Sequence, residues 1–303
     1  MSDTQTKPTD WKGLIALALL RLVGSLPLGL NRAFGGCLGR LGHRLGASSS
    51  RITRINIELC YPQLSAPERE QLIAQSSYET GRLGTEMPAI WFKSDDWLHQ
   101  RLVGEVNREL LDKRVAEAPG LIVLVPHLGN WEVFGPYMSR VTPLTALYQP
   151  PKLPALEKLV VSARERWGAT LVPTNRRGVA QLLKSLKAGG GTLIFPDQVP
   201  DAAGGEYAPF FGVPALTMTL VHNLIQRTGC RVVMAYALRE ADGFKVVFEE
   251  PQAAIYSADT ATALAAMNRS VEACVSACPS QYQWEYKRFK KQPPGVPVPY
   301  AKS

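Results

Sequence analysis

The stretch GLIVLVPHLGNWE, residues 120–132, constrains the fold of this chain more than any other segment. A glycine is followed by five aliphatic residues and a proline, and such a continuous apolar run is typical of a strand buried on both faces. His127 comes directly after the run, and Glu132 lies five residues beyond it. The segment therefore predicts a buried strand that delivers a histidine to its carboxyl end.

The chain after this point alternates between strand and helix patterns. Strands are predicted at 120–126, 144–148, 169–173, 191–196, 231–240 and 244–250, with helices at 153–167, 176–188, 215–228 and 259–278. Residues 65–118 are predicted to be helical, starting with a capping box at Ser65 and interrupted at Pro88, and 197–214 are predicted to be a long loop. We therefore predict an α/β fold with a mostly parallel central sheet flanked by helices, in a single domain spanning 55–303.

Polar residues follow each of the first four predicted strands. They are His127 and Glu132, then Tyr148 and Gln149, then Thr174 and Asn175, and finally Asp197 and Gln198. In open α/β sheets, ligands bind outside the carboxyl ends of the strands. The sequence therefore predicts that these side chains collect at one edge of the sheet and form the functional site.

The pairing of His127 with Glu132 favours general-base chemistry. Of the four histidines, only His127 has an acidic residue five positions later, although this spacing is weak evidence without the strand-end context. We expect a turn at Gly129 and Asn130 to bring Glu132 back towards the imidazole. A carboxylate on Nδ1 would leave Nε2 free to accept a proton from a hydroxyl. The alternative is an incidental histidine in a turn.

Other types of site have little support in the sequence. There is no G-x-S-x-G motif, and the triple glycine at 189–191 precedes a strand, whereas phosphate-binding glycines follow one. The five cysteines form no C-x-x-C pair, which indicates a reducing compartment and argues against structural zinc. We expect neither a metal nor a cofactor. The remaining chemistry is base-assisted attack by a substrate hydroxyl on an activated acyl group.

The N-terminal 54 residues are both basic and apolar. They carry eight basic and two acidic side chains, which accounts for six of the eight net positive charges of the chain. The apolar window 11–30 is interrupted by Arg21 and Pro27 and lacks a cleavage site, unlike a secretory signal or a typical spanning helix. We predict a membrane-associated helical segment over 1–54, on a surface with anionic lipid. A soluble helix buried in the core is the alternative, and a nucleic-acid partner is not expected.

A set of motifs in order along the chain resembles one known family. The motifs are NIELCYP (56–62), HLGNWE (127–132), LYQPPKLPALEKLVVSARERWGATLVP (147–173), PDQ (196–198), PFFGVPALT (209–217) and WEYKRFK (284–290). HLGNWE resembles the H-x4-D/E motif of glycerolipid-type acyltransferases, and the full set resembles the lipid A late acyltransferases. The resemblance covers most of the chain.

This resemblance implies an enzyme attached through its N-terminal helix to the cytoplasmic face of the bacterial inner membrane. It implies transfer of a fatty acyl chain from acyl carrier protein to a hydroxyl of a glycolipid, most simply a lipid A precursor. His127 would be the general base, Glu132 its orienting acid, and Arg164 and Asp197 further catalytic residues. Arg164 has a solvated helix face as its alternative role, and Asp197 has the shaping of its loop.

Substrate binding is assigned to residues near the same edge. The candidates are Asn130, Tyr148 and Gln198, with Phe210 and Phe211 as a wall for an acyl chain or, alternatively, as core packing. Three other functions remain open at this point. They are acylation of another lipid, such as an ornithine lipid or a phosphatidylinositol mannoside, hydrolysis of a thioester, and a non-catalytic role as a membrane adaptor.

Overall fold

The computed structural model describes residues 11–117, 120–148 and 154–300. The α-helices within these residues are α1 (Trp11–Ser25), α2 (Leu28–Arg44), α3 (Ser48–Cys60), α4 (Ala66–Phe92), α5 (Asp95–His99), α6 (Arg108–Ala116), α7 (Phe134–Ser139), α8 (Pro154–Glu165), α9 (Arg176–Lys187), α10 (Leu220–Thr228) and α11 (Thr260–Ala277). The strands are β1 (Leu102–Val106), β2 (Leu121–Leu124), β3 (Thr145–Tyr148), β4 (Thr170–Pro173), β5 (Gly191–Ile194), β6 (Gly205–Phe210), β7 (Val213–Met218), β8 (Arg231–Glu240) and β9 (Gly243–Glu249).

The central sheet has five strands in the order β1, β9, β8, β2, β5. The pairs β1–β9, β8–β2 and β2–β5 are parallel, and the β8–β9 hairpin is antiparallel. A parallel pair of β3 and β4 continues this sheet beyond β5 through a bridge between Leu144 and Gly191. The predicted α/β class, with a mostly parallel sheet and flanking helices, is confirmed. The carboxyl ends of β2, β3, β4 and β5 lie along one edge.

Strand β2 and the residue after it show why the run at 121–125 is apolar throughout. Ile122 and Leu124 belong to a hydrophobic cluster on one face of the sheet, whereas Leu121, Val123 and Val125 belong to a second cluster on the other face. All five side chains are at most 2% exposed. A strand covered on both faces has no solvated side, so alternation with polar residues is not expected.

The structure corrects three details of the predicted elements. β1 lies in a region predicted to be helical, and β6 and β7 form a hairpin across the predicted loop. That hairpin turns at Phe211 and Gly212, which both have positive φ, as in the tight turns that suit a twisted two-stranded ribbon. Helix α4 continues through Pro88 to its end, where Pro88 is buried against Gly24 of α1. Tertiary packing overrides the local preference at each of these places.

The N-terminal helices pack on α4 through glycines. A Cβ at Gly36 would lie 2.0 Å from the Tyr78 ring, and a Cβ at Gly39 would lie 2.2 Å from the carbonyl oxygen of Ser77. Small residues at such positions allow the backbones of α2 and α4 to approach each other closely. Among the described residues, no helix combines the length and the hydrophobicity that crossing a membrane requires.

Candidate active site

The loop after β2 holds His127 in a fixed position at the sheet edge. The backbone N–H of Asn130 donates to the carbonyl of Ala237 at 2.8 Å, and the carbonyl of His127 accepts from the backbone N–H of Gln283 at 3.0 Å. Gly129 has a φ of +66°, and a Cβ there would lie 1.9 Å from the Ala237 oxygen. Glycine is therefore required at this turn, and the loop is tied to β8 and to the C-terminal segment.

Asp197 is the carboxylate that binds the imidazole of His127. Its Oδ1 lies 2.7 Å from Nδ1, and its Oδ2 accepts from the backbone N–H of His127, also at 2.7 Å. Burial alone would raise the pKa of Asp197, but the charge of His127 and the hydrogen bonds from it lower that pKa overall. Because the ionised carboxylate only accepts, Nδ1 donates to it, and in the neutral imidazole Nε2 is the nitrogen with the lone pair.

This arrangement corrects the expected pairing of His127 with Glu132. Parallel pairing aligns Leu124 of β2 with Ile194 of β5, so the residues three positions further along each chain, His127 and Asp197, lie side by side. Glu132 lies in a short 3-10 helix and binds other groups. The sequence placed both acids at the right edge, but it did not show which strands are neighbours.

Three side chains surround the imidazole. The amide nitrogen of Gln198 lies 3.1 Å from Nε2 and donates to it. The rings of Trp131 and Phe195 lie 4.6 Å and 5.1 Å from the imidazole, measured between centroids. Only 8% of His127 is exposed. The imidazole is thus held between two aromatic rings and an amide that donates to Nε2.

Glu132 and Arg164 form a separate ion pair near this histidine. Nη2 of Arg164 donates to Oε1 of Glu132 at 2.8 Å, and Nε1 of Trp91 donates to Oε2 at 3.1 Å. Burial would lower the pKa of Arg164, but the charge of Glu132 raises it overall. The arginine is therefore a fixed cation, with 29% of its side chain exposed. The guanidinium therefore contacts a buried carboxylate and is not part of a fully solvated helix face.

An apolar cleft lies beside the ion pair and shares two aromatic residues with the surroundings of the histidine. Its lining includes Trp131 and Phe195, which contact the imidazole, and Glu132 and Arg164, which form the ion pair. The other lining residues are Gly135, Pro136, Leu144, Ala146, Leu147, Trp167, Ala169, Leu171 and Leu193. This combination suits a hydrocarbon chain whose polar end lies near the base.

The predicted substrate residues lie in different environments. Asn130 is fully buried and donates to Glu86 at 3.2 Å, so it binds the loop after β2 to α4. Tyr148 ends β3 close enough to Arg164 for their charges to interact, and burial raises the pKa of its hydroxyl. Phe210 and Phe211 pack in a cluster with Tyr61, Tyr282, Trp284 and Phe289, and neither lines the apolar cleft.

Two outer residues of the predicted edge, Thr174 and Asn175, do not line the apolar cleft. Asn175 caps α9 by accepting the backbone N–H groups of Arg177 and Gly178 at 3.0 Å. Thr174 precedes it at the end of β4. Gln149 lies outside the described residues. Within the described part of the chain, no group of three or more His, Cys, Asp or Glu side chains is arranged to hold a metal ion.

A buried charge network behind the loop was missed by the sequence reasoning. Glu86 of α4 is fully buried and binds Arg32 of α2, and its second oxygen lies 3.6 Å from Nη1 of Arg239 on β8. The same Nη1 donates to the carbonyl of Gly129 at 2.9 Å. Burial lowers the pKa of Arg32 even though Glu86 opposes this effect. An arginine within the apolar run of β8 was the available signal.

Comparisons with known proteins agree with the motif resemblance. A family model described as bacterial lipid A biosynthesis acyltransferase matches residues 2–291. The lipid A biosynthesis palmitoleoyltransferase of Escherichia coli (strain K12) is 28% identical over 295 residues, which cover 95% of this chain and 94% of the relative. The lauroyltransferase of the same organism is 27% identical (97% and 96% covered), and the myristoyltransferase is 25% identical (97% and 92% covered). The chain belongs to the bacterial lipid A biosynthesis acyltransferase family.

Proposed function

We propose that this protein transfers a fatty acyl chain from the thioester of acyl carrier protein to a hydroxyl of a lipid A precursor. One observation carries the proposal, namely the 2.7 Å hydrogen bond between Nδ1 of His127 and the buried carboxylate of Asp197. This bond leaves Nε2 as the proton acceptor of an imidazole that contacts Trp131 and Phe195, two residues of the apolar cleft. The curated relatives named as lipid A acyltransferases support the choice of acceptor.

In the proposed mechanism, the acceptor hydroxyl replaces the amide of Gln198 as the partner of Nε2. His127 takes the hydroxyl proton while the oxygen attacks the thioester carbonyl and forms a tetrahedral intermediate. Asp197 stabilises the imidazolium that results. The intermediate collapses with loss of the carrier thiolate, which receives the proton from His127, and the acyl chain remains on the acceptor oxygen as an ester.

Arg164 is the proposed electrostatic partner of the reaction. Its guanidinium lies at the polar end of the apolar cleft. Glu132 binds the guanidinium, and Trp91 donates to the other oxygen of Glu132. A cation fixed at that point can stabilise the developing oxyanion or bind a phosphate of the acceptor, since guanidinium groups match both geometries. Glu132 then acts by positioning Arg164.

Attachment to a membrane surface is part of the proposal and is supported by the exposed face of α1 and α2. Nine large hydrophobic side chains on these helices and at the C-cap of α2 are each at least 47% exposed: Leu14, Ile15, Leu19, Leu22, Leu30, Phe34, Leu38, Leu41 and Leu45. Arg21, Arg40 and Arg44 are exposed on the same helices. A patch of this kind on a monomer marks an interaction surface, and its basic rim suits anionic lipid.

The test is an assay of acyl transfer with and without acceptor. We expect acylation of the lipid A precursor by acyl–acyl carrier protein, and loss of at least about 10³-fold in His127→Ala. His99→Ala, which removes an exposed histidine on α5, is the matched control and keeps wild-type activity. Equal release of free fatty acid with and without acceptor would instead favour the thioesterase alternative. Ornithine lipid and phosphatidylinositol mannoside, supplied as separate acceptors, test the other lipid classes.

A further inference from the structure

A second cavity lies between the N-terminal helices and the C-terminal segment, outside the apolar cleft. Its volume is about 180 Å³, and its walls come from α2, α3, α4 and the loop that carries Glu285. The lining side chains are mainly hydroxyls, from Ser49, Ser50, Thr53, Ser77 and Thr80. We call this the hydroxyl cavity. A polar space of this size holds much more than a single water.

Glu285 is the charged group of the hydroxyl cavity. Thr80 donates to its Oε2 at 3.0 Å, and no cationic side chain in the described residues lies within ion-pair distance of it. Burial raises the pKa of this carboxyl. Burial favours the neutral carboxyl, which can both donate and accept hydrogen bonds, as recognition of a ligand that carries hydroxyl groups requires.

Polar side chains extend from the catalytic base towards the hydroxyl cavity. The amide nitrogen of Gln198 donates to Nε2 of His127 at 3.1 Å and to Oε1 of Gln283 at 3.4 Å. The side chain of Gln283 and the charge of His127 both lower the pKa of the Glu285 carboxyl, against the effect of burial. The cavity and the base therefore belong to one polar network, in which Gln198 and Gln283 lie between His127 and Glu285.

One large apolar side chain, that of Leu38, lines the hydroxyl cavity. Leu38 of α2 lines it and is 48% exposed, and it belongs to the hydrophobic face described above. A hydroxyl-rich floor beside a face of exposed leucines fits a molecule with a sugar head and hydrocarbon chains. A phosphate is a poorer match, because the carboxylate of Glu285 would repel it.

We infer that the hydroxyl cavity binds a sugar ring of the acceptor glycolipid, with Glu285 and the serine and threonine hydroxyls as its hydrogen-bonding groups. This inference rests on the proposed function, because it locates the acceptor of that reaction. It makes Glu285 a specificity-determining residue. It also gives Leu38 a role at the point where the sugar and its acyl chains diverge.

Two variants test the inference by different means. Glu285→Ala removes the carboxylate, and Gly42→Leu fills the cavity from α2, where an added Cβ meets only Ala47 at an ordinary 3.7 Å. Gly84→Leu is the control, since it places the same side chain at an exposed glycine of α4 with no atom within 4 Å. Circular dichroism and thermal unfolding verify that all three variants are folded.

The measurement is equilibrium binding of a radiolabelled lipid A precursor in detergent micelles, without acyl donor. We expect the Kd to rise at least about 10-fold in Glu285→Ala and in Gly42→Leu, and to stay at the wild-type value in Gly84→Leu. Wild-type Kd values in both cavity variants, or no binding by the wild type, would overturn the inference. Wild-type protein that binds the precursor but does not acylate it would instead refute the proposed function and leave the sugar site supported.

Discussion

The substitution Asp197→Asn tests the assignment of the orienting carboxylate most directly. It keeps the shape of the side chain and an oxygen that can accept from Nδ1 at the observed 2.7 Å, but it removes the negative charge. That charge acts on the imidazolium that forms when His127 takes the acceptor proton. With charge centres roughly 4 Å apart and an effective dielectric constant of about 20, the interaction contributes about 4 kcal/mol. We therefore expect kcat to fall by on the order of 10³-fold.

The assay is steady-state transfer from acyl–acyl carrier protein to the lipid A precursor, with kcat and KM determined separately. Asp201→Asn, an exposed aspartate four residues further along the same loop, is the matched control and keeps its activity. Glu132→Gln provides the contrast, because it disrupts the Arg164 pair and leaves the His127–Asp197 bond intact. A kcat within about 10-fold of wild type in Asp197→Asn would refute the assignment.

Three further predictions concern stability. Gly129→Ala lowers the unfolding free energy by more than about 1 kcal/mol. The loss is smaller in Gly46→Ala, because Gly46 has the same φ of +66° but no atom within 4 Å of the new Cβ. Urea unfolding of both variants measures the difference. Glu86→Gln leaves a buried arginine without its counter-charge and loses about 3–5 kcal/mol, whereas the exposed Glu58→Gln stays within about 0.5 kcal/mol by the same measurement. Glu285→Gln has a higher Tm than wild type near pH 7. Because burial raises the pKa of Glu285, its ionised form destabilises the fold above that pKa, and the gain in Tm disappears as the pH falls below about 4.

Each of these predictions has a result that would contradict it. Equal losses in the two glycine variants would mean that the close approach of Gly129 to β8 is relieved at no cost. An unfolding free energy of Glu86→Gln equal to that of the wild type would mean that the charge of Glu86 does not stabilise the loop. A gain in Tm for Glu285→Gln that is the same at every pH would exclude ionisation as its cause.

The sequence was sufficient for the fold class because its signals are local. The local sequence of runs such as 121–125 and 231–238 is enough to predict strands. Their alternation with helical patterns implies a mostly parallel sheet. The hairpin at Phe211 and Gly212 was missed because the prolines at 209 and 214 argue against strands, although they face each other in the two-stranded ribbon. Helix α4 was divided at Pro88 for the same reason, since local rules do not include the packing of α1 against that position.

The sequence by itself determined that His127 stands at the end of a buried strand, with several acids near the same edge. Which acid binds the imidazole was decided by the tertiary structure alone. Spacing along the chain favoured Glu132, whereas Asp197 is 70 residues away from His127 in sequence. The physical reason is strand order. Parallel pairing of β2 with β5 in register places the residues that follow them side by side, and hydrogen bonding between neighbouring strands leaves no trace in the sequence of either one.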